Sequence, residues 1–160
     1  VRRIASAGGG DIITESEASH VAALEKTLED AAFGGRSGDW PLPTATTPRQ
    51  LWLRAVAAGG QGRYGIAYAD LATLRRQIST GSLASLAHST HGSFLRQLGW
   101  HTLARRWDGR AFALAGEDPE ARVDALVGLA ADALGVGRFA AAATLLTRAD
   151  AALGEATLPG

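Results

Sequence analysis

From Thr47 onward the apolar residues recur three or four positions apart, and run after run is bounded by glycine or by a cap followed by proline. That period places them on one face of an α-helix. Leu51, Trp52, Ala55 and Ala58 form a stripe that stops at Gly59-Gly60. A run from Tyr64 carries Ala67, Tyr68, Leu71, Leu74 and Ile78. Ser82 is placed to cap a third run, with Leu83, Leu86, Phe94 and Leu98. A fourth goes from Trp100 through Leu103, Trp107, Ala111 and Leu114. Leu126, Leu129, Ala130, Ala133 and Leu134 precede Gly135 and Gly137, and the last run has Phe139, Ala142, Leu146, Ala149 and Leu153. Thr47-Pro48 and Asp118-Pro119 each set a cap before a proline at the first helical position, where its missing N–H is harmless. No alternating β-branched segment sits between hairpin turns. The spacing therefore predicts an all-α chain.

Upstream, Gly8, Gly9 and Gly10 mark residues 1–13 as a flexible leader. Thr14 with Glu17 is a capping box. It opens a helix over 14–33 whose stripe is Val21, Leu24, Leu28, Ala31 and Ala32. Residues 34–47, with Gly34, Gly35, Pro41 and Pro43, read as a linker pinned by Trp40 packing onto a neighbour. Residues 47–155 form the helical domain. The first helix needs cover for its stripe, and the expectation is that it seals one end of that domain near Leu51 and Tyr68.

Composition removes several alternatives. With 160 residues, 46% apolar and 20% charged, the chain is long enough to bury a core without staples. Cysteine is absent, which excludes disulfides, thiolate catalysis and Cys-ligated zinc. No apolar run approaches the ~20 residues of a membrane span, and no signal-peptide core precedes the helices, so the expected location is cytoplasmic, with no membrane partner. Lys26 is the one lysine among 16 basic residues, and Ala and Gly abound, as in GC-rich bacteria such as actinobacteria. Methionine is absent and the first residue is Val1, as in a processed or cloned piece or a non-AUG start.

The later helices also repeat. Gly62-Arg63-Tyr64 is followed by Ala67, Gly99-Trp100-His101 by Ala104, and Gly137-Arg138-Phe139 by Ala142. Small residues on the preceding helices are Ala55, Gly92 and Ala130, and seven beyond each Ala stand Leu74, Ala111 and Ala149. Over about residues 47–154 this pattern resembles the tetratricopeptide repeat, although these units are longer than the family's usual ~34 residues. The closing proline is clear only at Pro119. The resemblance implies an α-α superhelix of about three antiparallel helix pairs, with a ligand-binding concave face built from the first helix of each pair. Stacking is required physically as well, since a two-helix unit cannot bury its apolar face alone.

Motifs for chemistry are weak. Gly60 to Gly65 spells GxGxxG, but a helix precedes it rather than the strand that dinucleotide binding needs. His88 and His91 share a helix face, yet no carboxylate lies between residues 71 and 107, and His101 is the nearest third ligand. Serines 79, 82, 85, 89 and 93 lack a nucleophile elbow and read as caps and exposed helix positions. No catalytic residue, metal or cofactor is assigned, and the chain reads as non-enzymatic.

Charge is segregated. Residues 1–47 are net −3, residues 48–114 hold nine Arg against Asp70 and Asp108 for net +7, and residues 115–160 are net −4. The leading expectation is a module that binds another protein or peptide, with Arg49, Arg54 and Arg96 as carboxylate partners and Trp52 as an apolar anchor. The alternative is a regulatory module at nucleic acid, through Arg75, Arg76, Arg105 and Arg106. Pairing of the first helix with a second copy would make a homodimer.

Overall fold

The computed structural model describes residues 3–4, 13–34, 38 and 40–157. The described residues form seven helices: α1 (Glu15–Phe33), α2 (Pro48–Gly60), α3 (Tyr64–Gln77), α4 (Ser82–Gln97), α5 (His101–Leu114), α6 (Pro119–Gly135) and α7 (Phe139–Thr157). The chain is all-α, apart from a two-residue antiparallel pairing of Arg3–Ile4 with Ile13–Thr14 just ahead of α1. Two residues a side are too few to leave a β pattern in the sequence. The rest of the expected leader lies outside the described residues.

Local chemistry sets the helix starts. Thr14 accepts from the Glu17 amide at 3.1 Å while Glu17 Oε2 accepts from the Thr14 amide at 2.7 Å. Thr47 and Gln50 form the same reciprocal box ahead of Pro48. Asp118 accepts from the Ala121 amide at 3.3 Å ahead of Pro119. The expected Ser82 cap is corrected: the N-cap of α4 is Gly81, with φ +90°, and Ser82 is the first helical residue. Gly81 can occupy that backbone region without a Cβ penalty, and no side-chain hydrogen bond caps the start of α4.

The three helix-to-helix turns at Gly62, Gly99 and Gly137 share one geometry. Their φ values are +76°, +84° and +78°. The next residue's amide reaches back to the preceding helix in each, Arg63 to Ala58, Trp100 to Leu95 and Arg138 to Ala133, at 2.8–2.9 Å. Each glycine amide donates to the carbonyl three residues earlier, at 2.9–3.0 Å. This is the Schellman arrangement, which needs a left-handed residue. Five residues later Ala67, Ala104 and Ala142 are buried, and seven before each glycine so are Ala55, Gly92 and Ala130. Small residues at both places let the helices of each pair approach closely.

Packing joins α2 to α3, α4 to α5 and α6 to α7, and also α2 to α4 and α4 to α6. The second helix of a pair meets the first helix of the next, α3 on α4 and α5 on α6. α1 packs on α2, burying Leu28 and Ala31 and setting the Phe33 ring 5.7 Å from Trp52. The expected contact with Tyr68 is not where α1 sits: that ring faces Phe94 and His91. In the stretch after α1, Ala45 is buried, Leu42 lies against the core, and Arg63 stacks 3.7 Å over the Trp40 ring. No helix of the described residues is long and apolar enough to cross a membrane.

Candidate binding groove

The first helices α2, α4 and α6 lie side by side and leave a groove of ≈ 800 Å³ between them, flanked by the C-terminal ends of α1 and α7. Its lining is mainly apolar: Phe33, Trp52, Val56, Leu86, Phe94, Val123, Val127 and Leu153. Ser89, Thr90, Ser93 and Gln97 supply hydroxyl and amide groups from α4, and Glu120 and Asp124 place carboxylates on the α6 side. A concave, largely apolar site with few polar groups is the usual form of a ligand site. The expectation that these serines are exposed is corrected, because Ser85 and Ser89 are buried and Ser85 donates to the Ala111 carbonyl at 2.7 Å. α4 is the middle first helix, with helices on both sides, so more of its circumference is covered than its polar residues suggest.

The four residues expected to form a peptide patch do not form a free one. Trp52 is 8% exposed, and its Nε1 donates to Thr90 Oγ1 at 2.9 Å. Arg54 holds Asp70 on α3 in a two-pronged pair, at 2.8 and 2.7 Å, and also reaches the Pro43 carbonyl. Arg96 is paired with both Asp108 on α5 and Asp132 on α6, the second at 3.2 Å. Arg49 pairs with Glu29 of α1 at 3.0 Å and lies over the Trp52 ring. Two of these residues, Trp52 and Arg96, line the groove, and Arg49 lies over the Trp52 ring. Their guanidinium groups are engaged within the fold, so an incoming carboxylate would have to break an existing ion pair.

Arg96, Asp108 and Asp132 lie directly under the groove, and both carboxylates are fully buried. Arg96 Nη1 also donates to the Gly128 carbonyl at 3.4 Å. Glycine makes the space. A Cβ on Gly92 would lie 2.7 Å from Asp108 Oδ2, and one on Gly128 would lie 2.5 Å from Oδ1. Burial pushes the Asp108 carboxyl up to about 8 despite the attraction of Arg96, and the neighbouring Asp132 adds to the rise. A protonated Asp108 beside the Arg96 guanidinium keeps the charge buried in the cluster small.

The nucleic-acid candidates separate. Arg75 is half-buried, 3.3 Å from His91 Nδ1 and stacked 4.7 Å over Trp107. Arg76 bonds Thr73 of its own helix, and Arg105 and Arg106 are exposed. Arg76, Arg105, Arg106 and Arg110 make no ion pair with any described residue. His91 stacks on Trp107 at 3.6 Å and is held down to about 4, first by burial and then by Arg75 and His88. His88 bonds the Ala84 carbonyl, and burial lowers it as well. His101 lies apart, against Gly135. Among the described residues no three His, Asp or Glu side chains gather as a metal site. Gly60 to Gly65 spans the end of α2, the first hairpin turn and the start of α3. Comparison of the chain with protein-family models, curated proteins and solved structures finds no match.

Proposed function

We propose that the chain is a non-enzymatic interaction module, a tetratricopeptide-like array of three helix pairs capped by α1, that holds a segment of another protein in the groove across α2, α4 and α6. The observation that carries this is the groove itself, a long apolar trough built from one helix of every pair. Its electrostatics define the occupant. The one arginine in the lining is neutralised by Asp108 and Asp132, whereas Glu120 and Asp124 open onto the rim, Asp124 beside Ser89 with its carboxyl raised by partial burial. The fitting segment is apolar and carries a lysine or arginine, the opposite polarity to a carboxylate-bearing peptide. Selection of peptides from a random display library, followed by titration calorimetry, tests this. Enriched peptides are expected to combine Leu, Ile or Phe with a basic residue, and Asp124→Lys is expected to weaken them about tenfold, roughly one close charge pair. Peptides that are acidic, or that bind Asp124→Lys and Val127→Arg as well as the parent, would overturn the reading.

A second reading has its own support. The guanidinium groups of Arg76, Arg105, Arg106 and Arg110, which make no ion pair with any described residue, sit on second helices, away from the groove. A regulatory module at nucleic acid would use them as phosphate contacts. Filter binding of duplex DNA at low salt decides it, since such contacts give a steep salt dependence.

A further inference from the structure

The three hairpin turns lie along one edge of the array. Tyr64, at the first turn, donates its hydroxyl to Gln97 beside the second at 2.7 Å, and His101, at the second, lies against Gly135 beside the third. On this edge Trp100 is 61% exposed and Phe139 69%, with Leu98, Leu134 and Val136 also exposed between them. Exposed large apolar side chains in such a cluster mark an interaction surface. The surrounding charge has one sign. Arg105, Arg106 and Arg138 are exposed, and residues 94–107 and 133–149 contain no Asp or Glu. The connection from α5 to α6 and the first turn of α6, at the opposite ends of these helices, carry Glu117, Asp118 and Glu120 instead.

We propose that this hairpin edge docks on an anionic lipid surface, with the turn residues entering the headgroup region and the arginines meeting lipid phosphates. The geometry favours a bilayer over a protein partner. The apolar groups stand on projecting turn tips rather than in a trough, and Trp and Phe suit the membrane interface. The turn backbone is also prepared for a medium short of water. The amides of Leu98, Gly99 and Trp100 all bond back into α4, and those of Gly137 and Arg138 into α6. This is surface association without a span, and it is independent of the groove.

Co-sedimentation of the full chain with vesicles of phosphatidylcholine alone, or mixed 7:3 with phosphatidylglycerol, is the test (roughly the anionic content that makes such electrostatics visible). Association is expected with the anionic vesicles at low salt, and is expected to fall about tenfold or more when salt screens the arginines. The double variant Trp100→Ser/Phe139→Ser, at two exposed positions, is expected to lose binding with its helical circular dichroism unchanged. Arg106→Glu/Arg138→Glu keeps the apolar tips and is expected to lose preference for anionic vesicles. No association of the parent chain at low salt overturns the proposal. So does parent-like binding by the serine double variant, which would reduce the edge to bare charge. A dimer that the serine variant dissociates, without vesicle binding, would assign the edge to protein contact and also overturn it.

Discussion

Asp108 and His91 pull the pH dependence of stability in opposite directions. Folded Asp108 keeps its proton up to about pH 8, whereas an unfolded aspartate releases it near ~3.9. The folded state therefore binds more protons across that window, and stability falls as pH rises through it. Folded His91 stays neutral down to about 4, whereas an unfolded histidine takes a proton below ~6.5, so its contribution is lost as pH falls through that range. His88, also lowered by burial, adds to the His91 slope, and Asp124, raised by burial, adds to that of Asp108. The opposing slopes offset one another below about pH 6.5, and above it Asp108 sets the slope. Urea melts are expected to show little change from pH 5 to 6.5, then a decline toward pH 8 of at most about 1.4 kcal/mol per pH unit. Asp108→Asn is expected to flatten the decline; an unchanged slope in that variant contradicts the assignment. Gly92→Ala and Gly128→Ala push a methyl into the same carboxylate and are expected to destabilise by about 1–3 kcal/mol in the same melts. None of this partnership was legible in the sequence, because Asp108 and Asp132 stand 12 and 36 positions from Arg96 on other helices. One signal was present: nine residues after each turn glycine the chain has Leu71, Asp108 and Leu146, and a carboxylate among leucines implies a buried partner.

Helix limits were the most legible level, since caps, prolines and turn glycines act within four residues of themselves. Thr14, Thr47, Asp118 and the glycines at 62, 99 and 137 all do in space what their spacing suggested. The expected Ser82 cap lies one residue too late: the left-handed Gly81 takes the N-cap position and Ser82 is already helical. Which faces are covered was less legible, because equal stripes can have unequal neighbours. Leu71 on α3 is fully buried, since α4 follows and packs on α3, whereas Leu146 at the same place on α7 is 45% exposed. Leu71→Ala is thus expected to cost about 2–5 kcal/mol and Leu146→Ala within about 0.5 kcal/mol, measured by thermal unfolding. Equal losses would mean that α7 is covered in solution. α1 plays the part of a preceding second helix, with Phe33 on Trp52 and Glu29 on Arg49. Deleting residues 1–40 is expected to lower the melting temperature and promote aggregation, since α2 loses its cover; an unaltered melt would make α1 a dispensable arm.

Across the whole molecule, three equivalent turns and small residues at fixed offsets place α2, α4 and α6 next to each other, and their shared face is the groove. The resemblance to helical repeats implied a ligand-binding face on the first helices, and it is between α2, α4 and α6 that the groove lies. The charge of that face was not legible, because the arginines that give residues 48–114 their positive charge are partly consumed by internal pairs at Asp70, Asp108 and Asp132. Arginines without an ion pair to any described residue sit on α3 and α5, and the groove keeps the acids of α6. Amide and indole chemical-shift mapping with a selected apolar-basic peptide examines the groove most directly. Shifts are expected at the Trp52 indole, Val56, Ser89, Ser93, Asp124 and Val127, and should vanish in Val127→Arg. Shifts confined to α3 and α5, with the groove residues silent, would contradict the assignment.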